Sequence, residues 1–351
     1  MQNTKIKPWL CGVAVLMTCS ALHAEAPSSR AEPLSRIVFG SCIKQDQPTP
    51  IFQPMLAAKP ELLLFTGDNI YGDTDDMPTL RAKYDKLARN PSFAALRNAC
   101  PVLATWDDHD YGANDGGADY AKREESQTEF LEFWQTPQQS PLRKRSGVYD
   151  AKIFGPAGQR TQVILLDTRY FRSALKTGDR RVGGPYVPDD TPTKTMLGDQ
   201  QWQWLKVQLQ QPAQLRLIVS SIQFVASSAG QECWANLPLQ RKQMMDLVQS
   251  TRATGVLLIS GDRHWSEISS VTPDGGYPMI DVTCSSLNQL HARGTPTEND
   301  FRISNTYHRE NFGILSVDWQ DSDPLVQISV RDIEGKPRIE KTIRLSELSL
   351  Q

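Results

Sequence analysis

An α/β fold class follows from three observations on this chain of 351 residues. Short apolar runs alternate with segments of helical periodicity as far as Trp265. Beyond it, strand-like runs continue without helices between them. Four polar motifs also each stand just after a strand-like run, where an open α/β sheet delivers ligand groups at the carboxyl ends of its strands. They are Gly40-Ser41-Cys42, Gly67-Asp68-Asn69-Ile70-Tyr71, Trp106-Asp107-Asp108-His109-Asp110 and Gly261-Asp262-Arg263-His264.

In chain order, Lys5 and Lys7 precede an apolar stretch from Trp9 to Leu22, followed by small residues at Ala21, Ala24 and Ala26. That pattern predicts a general secretory signal over residues 1–26, cleaved on export and too short to serve as a membrane span. Residues 27–35 read as a polar linker, and residues 36–351 as one domain. Runs at 37–39, 62–66, 102–105, 163–166, 215–220 and 256–260 are β-branched or leucine-rich and predict buried strands. Apolar spacings of three and four predict helices over 77–89, 121–134, 198–211 and 239–253. Strands alternating with helices argue an α/β core. Runs at 267–271, 277–284, 313–319, 325–332 and 339–345 are joined by turn sequences and predict an antiparallel sheet in the second half. A loop at 111–119 rich in Gly, Asn and Asp and one at 173–195 with Gly, Pro, Thr and charged residues are long, as segments that line or cover a site often are.

The composition is that of a globular protein, with 39% hydrophobic and 22% charged residues. A formal net charge of -2 gives no general attraction to nucleic acid or anionic membrane. Signal removal leaves Cys42, Cys100, Cys233 and Cys284, too few for a disulfide scaffold, and no bridge is assigned.

The motifs carry metal chemistry. Asp68 and Tyr71 lie three residues apart after a turn that Gly67 permits; a carboxylate there can bridge two cations, and a phenolate suits a hard trivalent ion. Cys42 offers a thiolate, a strong donor to iron or zinc. Asp107, Asp108 and Asp110 surround His109, an arrangement costly to hold without a cation. Asp262 and His264, one residue apart in an extended segment, face the same way. Taken alone, Asp68 with Tyr71, Cys42, and Asp262 with His264 read as well or better as turn or packing residues, whereas the Asp107-to-Asp110 run favours function over a solvated acidic turn. Their joint occurrence after strands points to a hydrolytic metal site.

In these residues the chain resembles the alkaline phosphatase D (PhoD-like) branch of the calcineurin-like metallophosphoesterases. The resemblance extends to Leu166-Asp167-Thr168-Arg169, Ser220-Ser221-Ile222-Gln223, Glu232-Cys233-Trp234 with Arg241, and Asn311-Phe312-Gly313. It implies two packed mixed β-sheets flanked by helices, with metals at the strand ends. By the same resemblance Cys42, Asp68 and Tyr71 hold Fe3+, with zinc or manganese as substitutes. Asp68 bridges to a second ion, Ca2+, approached by Asp108, Asn114 and Asp262, with His264 completing the cluster. Spacing does not decide between Asp108 and Asn114. Glu232 stands where the family commonly has Asp, which opens a calcium role for it. Compared with larger relatives, the chain is expected to lack an extra amino-terminal β domain and a covering carboxyl-terminal helix.

The implied activity is exported phosphate-ester hydrolysis on small molecules, by in-line attack of a hydroxide acidified by its cation. His109 is the candidate to stabilise developing charge or protonate the leaving oxygen, and Arg169 and Arg263 are candidates to bind phosphate. Three alternatives stay open: a phosphodiesterase or phospholipase on the same site, a thiol hydrolase with Cys42 as nucleophile and His109 as base, and a non-catalytic protein that binds metal or phosphate.

Overall fold

The computed structural model describes residue 1 and residues 32–179, 183–291 and 298–350. The expected signal, and the linker as far as residue 31, lie outside the described residues.

Two six-stranded mixed sheets form the centre. The strands are β1 (Arg36–Gly40), β2 (Leu62–Thr66), β3 (Val102–Thr105), β4 (Asp150–Phe154), β5 (Thr161–Leu165), β6 (Leu215–Val219), β7 (Val256–Ser260), β8 (Ser266–Val271), β9 (Met279–Cys284), β10 (Asn311–Asp318), β11 (Leu325–Asp332) and β12 (Pro337–Arg344). One sheet runs β12-β11-β10-β1-β2-β3 and the other β4-β5-β6-β7-β9-β8. Parallel pairing of β1, β2 and β3, and of β5, β6, β7 and β9, points the carboxyl ends of each set the same way.

Side-chain alternation along a strand sorts the layers. Ile37 and Phe39 of β1 and Leu62 and Leu64 of β2 pack with β5, β6 and β7 in the core that includes the second sheet. The intervening Val38, Leu63 and Phe65 join a second core with the helices α1 (Phe52–Ala57), α2 (Met77–Ala88), α3 (Pro91–Ala99) and α5 (Arg123–Phe133). The one-turn α4 (Asp108–Tyr111) belongs to the site. On the far side, α6 (Gly198–Leu209) and α7 (Pro238–Ser250) contribute Trp202, Leu205, Met244 and Val248 to the first core. The result is the expected pair of packed mixed sheets with helices outside.

The carboxyl-terminal strands depart from expectation. They do not build a separate antiparallel sheet: β9 pairs parallel with β7 and carries β8, while β10 pairs antiparallel with β1 and carries β11 and β12. The reason lies in β10, which is apolar on both faces. Phe312 and Ile314 sit in the helix-side core, and Leu315 and Val317 in the inter-sheet core. Such a strand must be covered on both sides, so it extends a sheet already buried.

Candidate metal centre

Strand ends from both sheets meet at one place. Cys42 follows β1, Asp68 follows β2, the Asp107-to-Asp110 turn follows β3, Asp262 and His264 follow β7, and Ser285 follows β9. Backbone conformation there is unusual. Cys42, Asp68, Asp262 and His264 have φ of 64°, 49°, 69° and 58°, a left-handed region that residues with a Cβ adopt at a cost and that clusters at functional sites. Approach is also close. A Cβ on Gly67 would stand 2.6 Å from that of Asp107, and one on Gly261 2.5 Å from Oγ of Ser41. Neither position tolerates a side chain without moving the motifs apart.

Ligand atoms of Cys42, Asp68 and His264 lie within 4.8 Å of one another, as do those of Asp68, Asp107, Asp108 and Asp262. Asp68 belongs to both groups. Its Oδ2 accepts the Cys42 thiol at 3.4 Å and the Tyr71 hydroxyl at 3.5 Å, and that hydroxyl is 2.8 Å from Nε2 of His264. Each of these contacts to Asp68 is held by a proton on sulfur or oxygen. Burial pushes the Cys42 thiol up to about 12, raises Tyr71 well above the ordinary phenol range, and raises Asp68 and Asp262 well above the carboxylate range. A cation would replace those protons and supply the missing charge. Burial, with the positive charge of His109 next, lowers His264 to about 4, keeping its imidazole neutral and fit to ligate. The donor set of thiol, phenol, imidazole and shared carboxylate fits iron at one position, and the carboxylates fit a hard divalent ion at the other.

Behind this layer Asp107 accepts from Nε of Arg169 and Oγ of Ser221, each at 2.6 Å. Arg169 also pairs with Glu232 at 2.5 Å, and Glu232 with Arg172 at 2.7 Å. Burial, opposed by Arg169, sets Asp107 at about 6, and burial, opposed by Arg169 and Arg172, sets Glu232 at about 7. Asp108 behaves differently. Burial acts on it too, but the charges of Arg169 and His109 and the Asp115 backbone N–H outweigh burial and hold it below its ordinary range.

The predicted residues divide by position. Cys42, Asp68, Tyr71, Asp108, Asp262, His264 and His109 come together. Arg169 is fully buried between Asp107 and Glu232, and Arg263 is 3% exposed with its guanidinium 4.6 Å from the Trp265 ring centre, so neither faces solvent. Asn114 is exposed on its loop; the carboxylate of the adjacent Asp115 groups with Asp108 and Glu232 within 4.8 Å. The Tyr186 hydroxyl donates to Asp115 at 2.6 Å, which ties Tyr186 to the edge of the centre.

One residue escaped the sequence reading. Asp73 Oδ1 stands 2.6 Å from Nδ1 of His109, whose ring lies 4.1 Å from that of Tyr71. Although burial opposes its charge, Asp73 together with Asp108 pushes His109 up to about 9. The only signal was a second carboxylate two residues beyond Tyr71.

A family model for PhoD-like phosphatases matches residues 37–312. The chain belongs to the PhoD-like phosphatase family. Alkaline phosphatase D of Bacillus subtilis (strain 168) is 24% identical over 219 residues, 55% of this chain and 36% of that protein, so the match spans about a third of the relative's length. A solved structure of PhoD superposes with a TM-score of 0.70 at 17% identity, over 91% of this chain and 70% of the other. GAP50, described as the anchor in the inner membrane complex of Plasmodium, shares the fold at a TM-score of 0.57 and 11% identity, with 90% of each chain covered. The PhoD-like resemblance read in the motifs is thereby confirmed, and so is its two-sheet fold.

Proposed function

We propose that this chain is an exported, metal-dependent phosphoesterase that hydrolyses phosphate esters of small molecules. The observation that carries the reading is the pair of ligand groups hinged on Asp68, the arrangement a two-cation hydrolytic centre needs. Cys42, Asp68, Tyr71 and His264 would hold Fe3+, and Asp68, Asp108 and Asp262, with Asn114 from its loop, would hold Ca2+. Those ions would acidify a water and neutralise phosphate oxygens. Export rests on the amino-terminal sequence pattern. Among the described residues no helix is long and apolar enough to cross a membrane.

The protein's own groups do the rest. Asp73 engages Nδ1 of His109, which leaves Nε2 as the nitrogen free to give a proton to the leaving oxygen. Arg169 and Arg172 pair with the inner carboxylates Asp107 and Glu232, and the charge of Arg169 helps to hold Asp108 below its ordinary range against burial. A thiol mechanism fits poorly, because Cys42 is fully buried and its thiol is pushed up to about 12, away from the thiolate a nucleophile requires.

Chelation tests this function. Purified protein assayed on phosphomonoesters and phosphodiesters should lose activity at least about a hundredfold when iron and calcium are stripped, and regain it when both return. Undiminished hydrolysis by protein that elemental analysis shows to be metal-free would refute the proposal. Asp73→Asn should lower kcat by roughly ten- to a hundredfold. It should also move the alkaline limb of the kcat profile to lower pH, because His109 without its carboxylate partner gives up its proton earlier.

A further inference from the structure

The two arginines that could have met a substrate phosphate are buried and engaged with protein groups. Lys44 lies two residues beyond Cys42, is half-buried, and places Nζ 5.7 Å from the centre of the Tyr71 ring. That ring carries the hydroxyl directed at Asp68 and His264, and it packs against His109.

The backbone of Lys44 is anchored on both sides. Its backbone N–H donates to Oδ1 of Asn288 at 2.6 Å, and Nδ2 of the buried Asn288 donates back to its carbonyl at 3.0 Å. Among the described residues no carboxylate lies within ion-pair distance of the ammonium; Asp46, two residues on, is taken by Lys86. A lysine kept for stability would pair with a carboxylate or extend into water. This one lies over the face of Tyr71, whose hydroxyl is directed at Asp68 and His264.

We infer that Lys44 meets the outer oxygens of the bound phosphate and makes the site favour dianionic phosphomonoesters over monoanionic diesters. The inference rests on the phosphoesterase reading and names its substrate class. A monoester presents a second negative charge to Nζ. A diester puts an ester group there instead, losing the charge and adding bulk. Lysine suits the task as a compact ammonium on a flexible stem.

The test is Lys44→Met and Lys44→Arg in the metal-loaded protein, with KM and kcat measured on a phosphomonoester and on the matching diester. Lys44→Met should raise KM for the monoester about tenfold with a far smaller change in kcat, and should move KM for the diester less than threefold, as loss of one charge-assisted contact in binding does. Lys44→Arg should restore most of the monoester KM. Metal content by elemental analysis should not change. Equal shifts for both esters, an effect confined to kcat, or loss of iron or calcium from the methionine variant would each overturn the inference. Binding of inorganic phosphate, measured by calorimetry, separates it from the parent reading. A wild-type protein that hydrolyses neither ester yet binds phosphate, with binding weakened about tenfold in Lys44→Met, would sink the enzymatic reading and leave Lys44 as the phosphate-recognising cation. Phosphate affinity equal in wild type and variant would count against Lys44.

Discussion

Asp68→Ala should abolish hydrolysis, lowering kcat/KM by at least about a thousandfold. No other side chain belongs to both the Cys42-Asp68-His264 group and the four-carboxylate group, so one truncation removes a ligand from each. Stabilisation of charge by bound cations is worth several kcal/mol, and each 1.36 kcal/mol is a factor of ten in rate. The same variant should bind less than one equivalent of iron and of calcium by elemental analysis. Loss of folding is not the expected cause. Removing Asp68 takes away a carboxyl whose ionisation burial, and then neighbouring acidic groups, disfavour, so the metal-free variant should still unfold cooperatively in denaturant. Retention of wild-type turnover would break the ligand assignment. Lost activity with both metals retained at full occupancy would break the shared role of Asp68.

The second large effect is on stability against pH in the metal-free protein. Burial sets Asp107 at about 6, Asp110 at about 7 and Glu232 at about 7, and holds Asp68 and Asp262 well above the usual range. In the unfolded chain these groups ionise near about pH 4. Between about pH 4 and 7 the unfolded state therefore carries fewer protons than the folded one. Raising the pH across that window favours unfolding. His264, lowered to about 4, acts in the opposite sense up to about its unfolded value of 6.5, and one such group offsets only one carboxylate. Metal-free protein should thus melt highest near pH 4 to 5 and lose stability toward pH 7. Cations bind the ionised carboxylates, so the gap in Tm between loaded and metal-free forms should widen over the same interval, on the order of 10 °C. A gap independent of pH, measured by calorimetry with and without chelator, would show that these carboxylates do not hold the ions.

Much of this molecule was legible in its sequence because its periodicities are regular. Strand runs such as 62–66 and 256–260 are apolar over their first four residues, which is the mark of burial on both faces, and the observed β2 and β7 have those bounds. Helix α3 was missed although Asn90 and Pro91 announce it: the Asn90 side chain accepts from the backbone of Ser92 and Phe93, with Pro91 in the first turn. Helix α1 spans six residues and includes Pro54, too short for a 3.6-residue period to show. The strand β4 is half-exposed and polar at Asp150 and Lys152, and carries little pattern to read.

For the site, the inventory was already legible in the residues: Cys42, Asp68, Tyr71, His109, Asp262 and His264 each follow a strand that local propensity places. Tertiary structure decided which of those groups meet and what each is free to do. It set β10 beside β1, turned Arg169 and Arg172 inward onto Asp107 and Glu232, paired Asp73 with His109, and left Lys44 over Tyr71 without a carboxylate partner among the described residues. The physical reason is one of range. Strand and helix periods are written in neighbouring residues, whereas the charge state and exposure of a buried group depend on atoms brought close by chain segments far apart in sequence, as with Ser221 and Asp107, 114 positions apart and joined at 2.6 Å.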